Sequence, residues 1–442
     1  MPVHAGLLVD ASTVGVYLLT LWLPGGIAAA ALGVRGWQLA ASAPLVTYFI
    51  AGMAGPLLSA IGLRYNVLSF LGCAVVVVLL CAVARRLTLR RRDRTAQPAP
   101  NHPDWQRSSH FVVAGIVLLS AAVGCYTVIR GMGWLDSIPQ DWDAAFHANG
   151  VRYIADTGNG GLFGMGNTNW YDPPNTLFYP NAYHLVAALV YTESHASIAA
   201  VLNANTVLWP GLLALSLVAM IRAFRGRVTT ACYTALIAVA GAAGVYENMF
   251  RGPLLAYQLG LMLIPVALIA LQRYLDRPDI DTGFLFIMTV VALLLVHSST
   301  VFGGSLLALP MLIQRWWANR SRIWPDIRRL LIVGVVAGIV AAPALAGAVG
   351  SAASFPSMVW PVQFSVAAAV GSLLVFQHIE AYPQIFLAIG LWVGLFTYRR
   401  LGGLRWILGA AGLTGALFVA VAAYNNHVVI AISRPWWDDR FR

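Results

Sequence analysis

Long apolar runs without any charge recur along the whole chain, and they restrict its possible folds more than any other feature. Examples are 11–31, 67–84, 111–129 and 330–349. Each run is close to the roughly 20 residues that cross the hydrocarbon core of a bilayer as an α-helix. Hydrophobic residues make up 59% of the 442 positions and charged residues only 10%. A soluble chain of this length could not bury so much apolar surface, so the sequence predicts an all-α integral membrane protein.

The apolar runs predict about twelve transmembrane helices. The predicted spans are 7–30, 40–61, 66–84, 110–129, 198–221, 229–246, 255–272, 283–297, 300–314, 329–349, 383–398 and 406–424. They divide the chain into a three-helix membrane segment at 1–84, a linker at 85–109 and a larger membrane domain at 110–442. The linker is rich in Arg and Pro, a composition typical of a flexible cytoplasmic spacer that begins at anionic headgroups.

The placement of the arginines predicts the orientation in the plasma membrane. If the N-terminus is outside, the inner loops carry 21 of the 28 basic residues and only 6 of the 17 acidic residues. This distribution follows the positive-inside rule and places both termini of the chain on the extracytoplasmic side. The net charge of +11 is then explained by topology, and we expect no nucleic-acid partner. The inner loop 273–282 goes against the trend, with three Asp and two Arg.

Two outer loops, 130–197 and 350–382, exceed what a minimal helix bundle needs. Within the first, residues 142–156 have the pattern of a short helix that lies in the membrane interface, with aromatic side chains down and polar flanks toward water. The aromatic stripe is Trp142, Phe146 and Tyr153, one flank is Asp143 and His147, and the other is Arg152 and Asp156.

Acidic residues at the start of this helix are the leading catalytic candidates. Asp141 and Asp143 could supply a general base or ligands for a divalent cation. The structural alternative is that one of them caps the helix by accepting backbone N–H bonds. His147 lies one turn from Asp143, where it either tunes the pKa of that carboxyl or forms an ordinary solvated pair with it.

Other outer polar residues are candidates for substrate binding. Arg251 suits a phosphate because its guanidinium donates two hydrogen bonds at once, although an interfacial anchor is an equal alternative. His297 ends an unusually short span, which indicates a helix broken beside a cavity or simply a hydrogen-bonded terminus. For the remaining candidates, the alternative to binding a ligand is an interfacial anchor or a solvated charge. They are Glu247, His378, Trp437, Asp438 and Arg440.

The D-W-D-A-A-F-H run at 141–147, H-S-S at 297–299 and W-W-D-D-R at 436–440 resemble motifs of the GT-C superfamily of membrane glycosyltransferases. Those enzymes have many spans and a large outer loop with an acidic residue near the start of a juxtamembrane helix. The likeness covers about 110–442 and is closest in style to actinobacterial envelope arabinofuranosyl- and mannosyltransferases and their uncharacterised relatives. The first three spans then look like an accessory addition, and the abrupt end at Arg442 suggests a fragment or a shortened relative.

The resemblance implies a polyprenyl-phosphate-linked sugar donor, a glycan acceptor and transfer on the extracytoplasmic face. It implies that Asp143, and then Asp141, acts as base or holds a divalent cation such as Mg or Mn. It assigns the phosphate to Arg251 and then to Arg152. Two other classes stay open: a lipid or polysaccharide translocase or ligase, which needs a polar path across the bilayer, and a scaffold of an envelope-synthesis complex, which tolerates loss of Asp143.

Overall fold

The chain is built from helices, which confirms the predicted all-α class. The computed structural model describes residues 3–92, 105–168, 176–250, 252–354, 361–377 and 383–424. Every regular element in these ranges is a helix, and none is a strand. The α-helices are α1 (Val3–Ala31), α2 (Gly36–Ala60), α3 (Val67–Arg92), α4 (Arg107–Met132), α5 (Trp142–Thr157), α6 (Ala182–Ser194), α7 (Ile198–Ala223), α8 (Val228–Ala240), α9 (Ala243–Phe250), α10 (Leu255–Asp276), α11 (Ile280–Val296), α12 (Ser298–Ala318), α13 (Ile323–Val340), α14 (Ala342–Ser354), α15 (Val366–Val375), α16 (Ile385–Phe396) and α17 (Trp406–Ala423).

Two compact units make up the chain. Unit 1 consists of Met1–Ser305 and Asn319–Val349, and unit 2 consists of Leu306–Ala318 and Gly350–Arg442. In unit 1, the three leading helices pack against later ones, because α2 contacts α6, α7 and α11, and α3 contacts α11. In unit 2, α15 packs against α16 and α17. The α3 helix continues to Arg92, past the residue at which the sequence predicted the linker to begin.

The predicted number of about twelve spans is wrong. Seven of the described helices are long and apolar enough to cross a membrane, or nine if each of two sharply bent helix pairs forms one span. The predicted segments are helical, but α8 and α11 have only 13 and 17 residues. The pair Arg320–Val340 and Ala342–Ser351 is bent by 80°. At 1.5 Å per residue, a 13-residue helix covers about 20 Å, less than the roughly 30 Å of a bilayer core.

Burial separates central from peripheral helices in unit 1. In α2 and α10, 83% of the most apolar 18-residue stretch is buried, whereas in α3 only 22% of that stretch is buried. The uncovered side chains of α3 are large and aliphatic, including Leu68, which is 81% exposed. In a membrane protein such a face is covered by lipid, so α3 lies at the lipid boundary of unit 1.

Residues 133–168 and 176–197 are docked on one end of unit 1, which we call the loop end. Ser59 at the end of α2 donates a hydrogen bond of 2.6 Å to the Oδ1 atom of Asn159. The backbones of Gly55 and Gly160 touch so closely that a Cβ atom built on Gly160 would lie 2.6 Å from the Gly55 Cα atom. Only glycine permits this approach, which fixes the loop directly on α2.

The other end of α3 holds a buried ion cluster, and we call this end of unit 1 the arginine end. The carboxylate of Asp281 is fully buried and accepts hydrogen bonds from Arg85 at 2.7 Å and Arg277 at 3.0 Å. Arg277 also pairs with Asp279 at 3.2 Å. These pairs explain the excess of Asp in loop 273–282, because the carboxylates neutralise arginines inside the fold.

Candidate functional site

The predicted helix at 142–156 is confirmed as α5, but the sequence assigned one of its faces wrongly. The face that packs on the bundle carries the buried residues Ala144, His147, Val151 and Ile154, whose spacing follows one side of a helix. His147 had been predicted to lie on a polar flank. Its side chain is only 3% exposed, so it cannot form a solvated pair with Asp143.

His147 instead pairs with a second histidine. Its Nδ1 atom lies 2.8 Å from the Nε2 atom of His184 on α6, and His184 is fully buried. Burial, with a smaller contribution from His297, lowers the pKa of His147 to about 3. Burial, followed by the effect of His147, lowers the pKa of His184 well below its ordinary value. Both imidazoles are therefore neutral at pH 7.

The hydrogen bonding of the pair indicates which nitrogen carries each proton. The Nδ1 atom of His184 is buried and has no hydrogen-bond partner among the described residues. A buried N–H without a partner is rarer in proteins than a bare acceptor. The favoured arrangement therefore leaves a lone pair on His184 Nδ1, so that His184 Nε2–H donates to His147 Nδ1. His147 then carries its own proton on Nε2, which makes it a neutral hydrogen-bond donor.

Tyr179 lies at the centre of this cluster of rings. Its ring centroid is 4.8 Å from that of Phe146, 5.5 Å from His184 and 6.3 Å from His297. His297 also contacts Tyr257 at 5.4 Å. Residues from α5, α6 and the α11–α12 junction thus meet around one phenol, and Tyr257 of α10 joins the cluster through His297.

The short helix α11 ends at His297, where the sequence predicted an interruption. The backbone of His297 is extended, with φ −161° and ψ 121°, and α12 begins at the next residue. The imidazole Nδ1 atom lies 2.8 Å from the Ser299 hydroxyl. The interruption therefore turns the His297 ring away from the helix ladder and toward Tyr179.

Asp143 lies beside the ring cluster in the first turn of α5. Partial burial, and then the neighbouring Asp141 carboxylate, raise the pKa of Asp143 above its ordinary value of 3.8. The pKa of the Tyr179 phenol is raised by burial and then by Asp143, which shows that the two groups are close. A carboxylate with a raised pKa is a stronger base than an ordinary aspartate.

Asp141 has a backbone conformation that differs from an ordinary helix cap. Its φ is +88°, whereas a residue that caps a helix N-terminus has extended backbone with negative φ. Non-glycine residues in this region are strained, and such strain is concentrated at functional sites. The Asp141 carboxylate projects toward the chain after α9, because a Cβ atom built on Gly252 would lie 3.7 Å from Asp141 Oδ2.

A cavity of about 550 Å³ lies at the loop end, beside the segment that leads to Asp141. Gln140, which precedes Asp141, lines it. Asn203 in its wall donates hydrogen bonds of 2.7 Å to the carbonyls of Leu135 and Ser137, which holds the loop before Asp141 in place. The lining combines apolar and polar groups, as ligand sites commonly do, and consists of Gly131, Met132, Ser137, Ile138, Pro139, Gln140, Asn203, Thr206, Met249, Phe250, Pro253 and Leu255.

The other predicted substrate-binding residues are not all brought to this place. Arg152 is exposed and engaged elsewhere, in an ion pair of 2.6 Å with Asp156 and a hydrogen bond of 3.0 Å with Tyr191. Glu247 lies on α9, the helix whose Met249 and Phe250 line the cavity. The candidates that lie outside the described residues are Arg251, His378, Trp437, Asp438 and Arg440.

Asp141 and Asp143 are the two carboxylates of the predicted cation site. Among the described residues, no group of three or more His, Cys, Asp or Glu side chains is arranged to hold a metal ion. Mg²⁺ is commonly bound by one or two carboxylates, with waters and substrate phosphates completing its coordination. The metal role of this pair therefore stays a prediction, and we derive no chemical step from it.

Sequence reasoning missed Tyr179, Asn181 and His184. The segment Y-P-N-A-Y-H at 179–184 leads into the short apolar helix α6. None of its residues was among the candidates predicted from the sequence. The amide of Asn181 donates to the Gly160 carbonyl at 2.9 Å and the Gly161 carbonyl at 3.2 Å, which positions the segment over α5. Polar residues clustered at the start of a helix that does not cross the membrane are the signal that could have revealed them.

Comparisons with known proteins identify a family but no activity. No characterised protein and no solved structure is significantly similar to the chain. One family model, described as a family of unknown function (DUF6541), matches residues 18–442. The match includes both compact units and every residue of the site described above, and this chain is therefore a member of that family.

Proposed function

We propose that the protein is a membrane glycosyltransferase that transfers a sugar from a polyprenyl phosphate to a glycan acceptor. The observation that supports the proposal is the half-buried Asp143 carboxyl, whose pKa is raised, three residues after Gln140 in the wall of a cavity of about 550 Å³ with polar and apolar parts. A lipid-linked sugar has the same mixture of polar and apolar parts. The loop end of unit 1 would face the extracytoplasmic side of the plasma membrane, in agreement with the distribution of arginines.

The proposed reaction uses Asp143 as the general base. Its carboxylate takes the proton from the acceptor hydroxyl, whose oxygen forms a bond to the anomeric carbon of the donor. The bond between that carbon and the phosphate oxygen breaks, and the polyprenyl phosphate leaves with the electron pair. Burial, and then the Asp141 carboxylate, keep the pKa of Asp143 raised, so that the base binds the proton strongly enough to take it from a hydroxyl in the transition state.

The ring cluster around Tyr179 supports this assignment by holding the site rigid. His147 and His184 are buried and bonded to each other, and Phe146 packs edge-on against Tyr179. The start of α5 is thereby fixed on the bundle before any substrate arrives. Catalytic groups that are already in place avoid the entropy cost of ordering them during the reaction.

The test is Asp143→Asn in the purified protein, assayed with a panel of polyprenyl phosphates that carry radiolabelled sugars. Asparagine keeps the size of the side chain but cannot accept the proton. A general base contributes about 100- to 10,000-fold to a rate, so we expect transfer to fall by that factor. Asp156→Asn is the matched control, because Asp156 is an exposed acid on the same helix, and we expect it to retain transfer.

Two outcomes contradict the proposal in different ways. If Asp143→Asn retains the wild-type rate, another residue is the base. If the wild-type protein, with its native membrane partners supplied, transfers no sugar from any donor in the panel, the chain is a scaffold or a translocase.

A further inference from the structure

A second cavity lies between α5, α6 and the segment that joins α2 to α3. Its volume is about 420 Å³, and its wall contains both Arg64 and Glu193. The apolar part of the wall is formed by Val67, Leu68, Ile154, Ala155, Ala188 and Leu189. This volume is within the range of about 300–1,000 Å³ that is usual for small-molecule sites.

The two charged residues of this cavity do not neutralise each other. Arg64 donates one hydrogen bond of 2.8 Å, from Nη2 to the backbone carbonyl of Asp156, and no ion pair joins it to Glu193 in the described part of the chain. A guanidinium has five N–H donors, so most of those of Arg64 remain available to a ligand. Opposite charges that share a cavity without pairing suit a ligand that carries both charges itself.

The surroundings of the cavity indicate a lipid rather than a small soluble ligand. Val67 and Leu68 belong to the first turn of α3, a helix of which only 22% of the most apolar stretch is buried. Leu68 lines the cavity and is 81% exposed, so it connects the apolar wall to the lipid-facing side of this helix. An acyl chain attached to a headgroup in the cavity would lie along α3.

The geometry points to this cavity as a binding site for a zwitterionic phospholipid whose headgroup carries a phosphate and a primary ammonium. The guanidinium of Arg64 would bind the phosphate, for which its planar fork of donors is suited. The carboxylate of Glu193 would accept hydrogen bonds from the ammonium. A quaternary ammonium has no N–H to donate to Glu193. An anionic lipid such as phosphatidylglycerol has no ammonium and would leave the Glu193 carboxylate without a partner, so both should bind more weakly.

The test is native mass spectrometry of the full chain in detergent, with equal amounts of phosphatidylethanolamine, phosphatidylcholine and phosphatidylglycerol added. We expect the wild-type protein to retain one phosphatidylethanolamine about tenfold more strongly than either other lipid, the factor that corresponds to one good charge-assisted hydrogen bond. Glu193→Gln should remove the preference over phosphatidylcholine but keep the binding. Arg64→Gln should weaken the binding of phosphatidylethanolamine and of phosphatidylcholine about tenfold.

Arg130→Gln is the matched control, because Arg130 is an exposed arginine at the end of α4 and does not line the cavity. The proposal is wrong if Arg64→Gln behaves like Arg130→Gln, or if the wild-type protein does not distinguish the three lipids. A further arm adds glycerophosphoethanolamine, which has the headgroup but no acyl chains. We expect it to displace the lipid only in large excess, and displacement at equal concentration would mean that the site binds a soluble zwitterion instead.

Discussion

His147 and His184 are kept neutral by burial, and this has a consequence for stability that can be measured. The pKa of His147 is lowered to about 3 in the folded protein, from an ordinary value of 6.5. Between these two values the unfolded chain binds a proton that the folded chain does not. Stability should therefore fall as the pH drops below 6.5, by about 1.4 kcal/mol per pH unit for each such histidine.

Thermal unfolding in detergent at pH 7, 6 and 5 would measure this slope. We expect His147→Gln to unfold at a lower temperature at pH 7, because the bond to His184 is lost, but to lose less stability on acidification than the wild type. His195→Gln is the control, because it replaces an exposed histidine outside the buried pair. An unaltered slope in His147→Gln would mean that the buried pair does not resist protonation.

At the level of single residues, the sequence could identify candidate site residues more readily than the residues that contact them. Asp143 and His297 were identified from their positions at helix ends and His147 from its place one turn after Asp143, and the structure brings all three to the surroundings of Tyr179. The partner of His147 could not be predicted, because His184 is 37 positions away and only the fold brings them together. The helical wheel predicted α5 but placed His147 on a polar flank, because it could not show which face docks on the bundle.

Among the helices, α3 and α11 are joined at the arginine end by the buried Asp281 carboxylate. Asp281→Asn removes its charge and leaves Arg85 and Arg277 facing a neutral amide. We expect a loss of about 3 kcal/mol in stability, at the low end for breaking a buried ion pair because both guanidinium groups keep partial contact with solvent. Chemical denaturation in mixed micelles, monitored by Trp fluorescence, would measure it.

Asp276→Asn provides the matched comparison. Asp276 is an exposed acid of the same loop that accepts a hydrogen bond from Gln272, and its replacement should cost less than about 1 kcal/mol. Equal losses for the two variants would show that Asp281 contributes no more than a surface charge. The buried ion cluster would then not explain the excess of Asp in the loop 273–282.

At the level of elements, hydropathy located the helices but did not determine how many cross a membrane. It finds apolar residues, and the twelve predicted segments are indeed helical. It does not detect a helix that stops after 13 residues, as α8 does, or one that bends by 80° after Val340. The end of α8 and the bend after Val340 are local changes in the backbone, which the average hydropathy of a segment does not resolve.

For the whole molecule, the central prediction is its orientation. In a cysteine-free variant that replaces the four native free thiols, a cysteine at Asn149 should react with an impermeant maleimide added to intact cells. Asn149 is exposed on α5 at the loop end. Gly160, although in the same loop, is unsuitable because its Cα faces Gly55 too closely for any side chain.

Cysteine at Asn319 is the opposite probe. It is exposed just before α13, and this helix lies next to the arginine end through a hydrogen bond of 3.3 Å from Tyr274 to the Arg329 carbonyl. We expect labelling at Asn319 only after the membrane is made permeable. Reaction at Asn319 in intact cells, without reaction at Asn149, would reverse the orientation and place the site in the cytoplasm.

The short helix α8 also affects the bilayer around the protein. Its 13 residues cover about 20 Å, roughly 10 Å less than the thickness of the hydrocarbon core. Tyr233 on this helix is 66% exposed, so lipid reaches it, and the lipid must adapt because α8 cannot lengthen. We therefore expect the membrane next to α8 to be thinned, with headgroups drawn toward the midplane. A long-chain phosphate that diffuses in the membrane would find here a depression where its charged group can sit deeper than elsewhere.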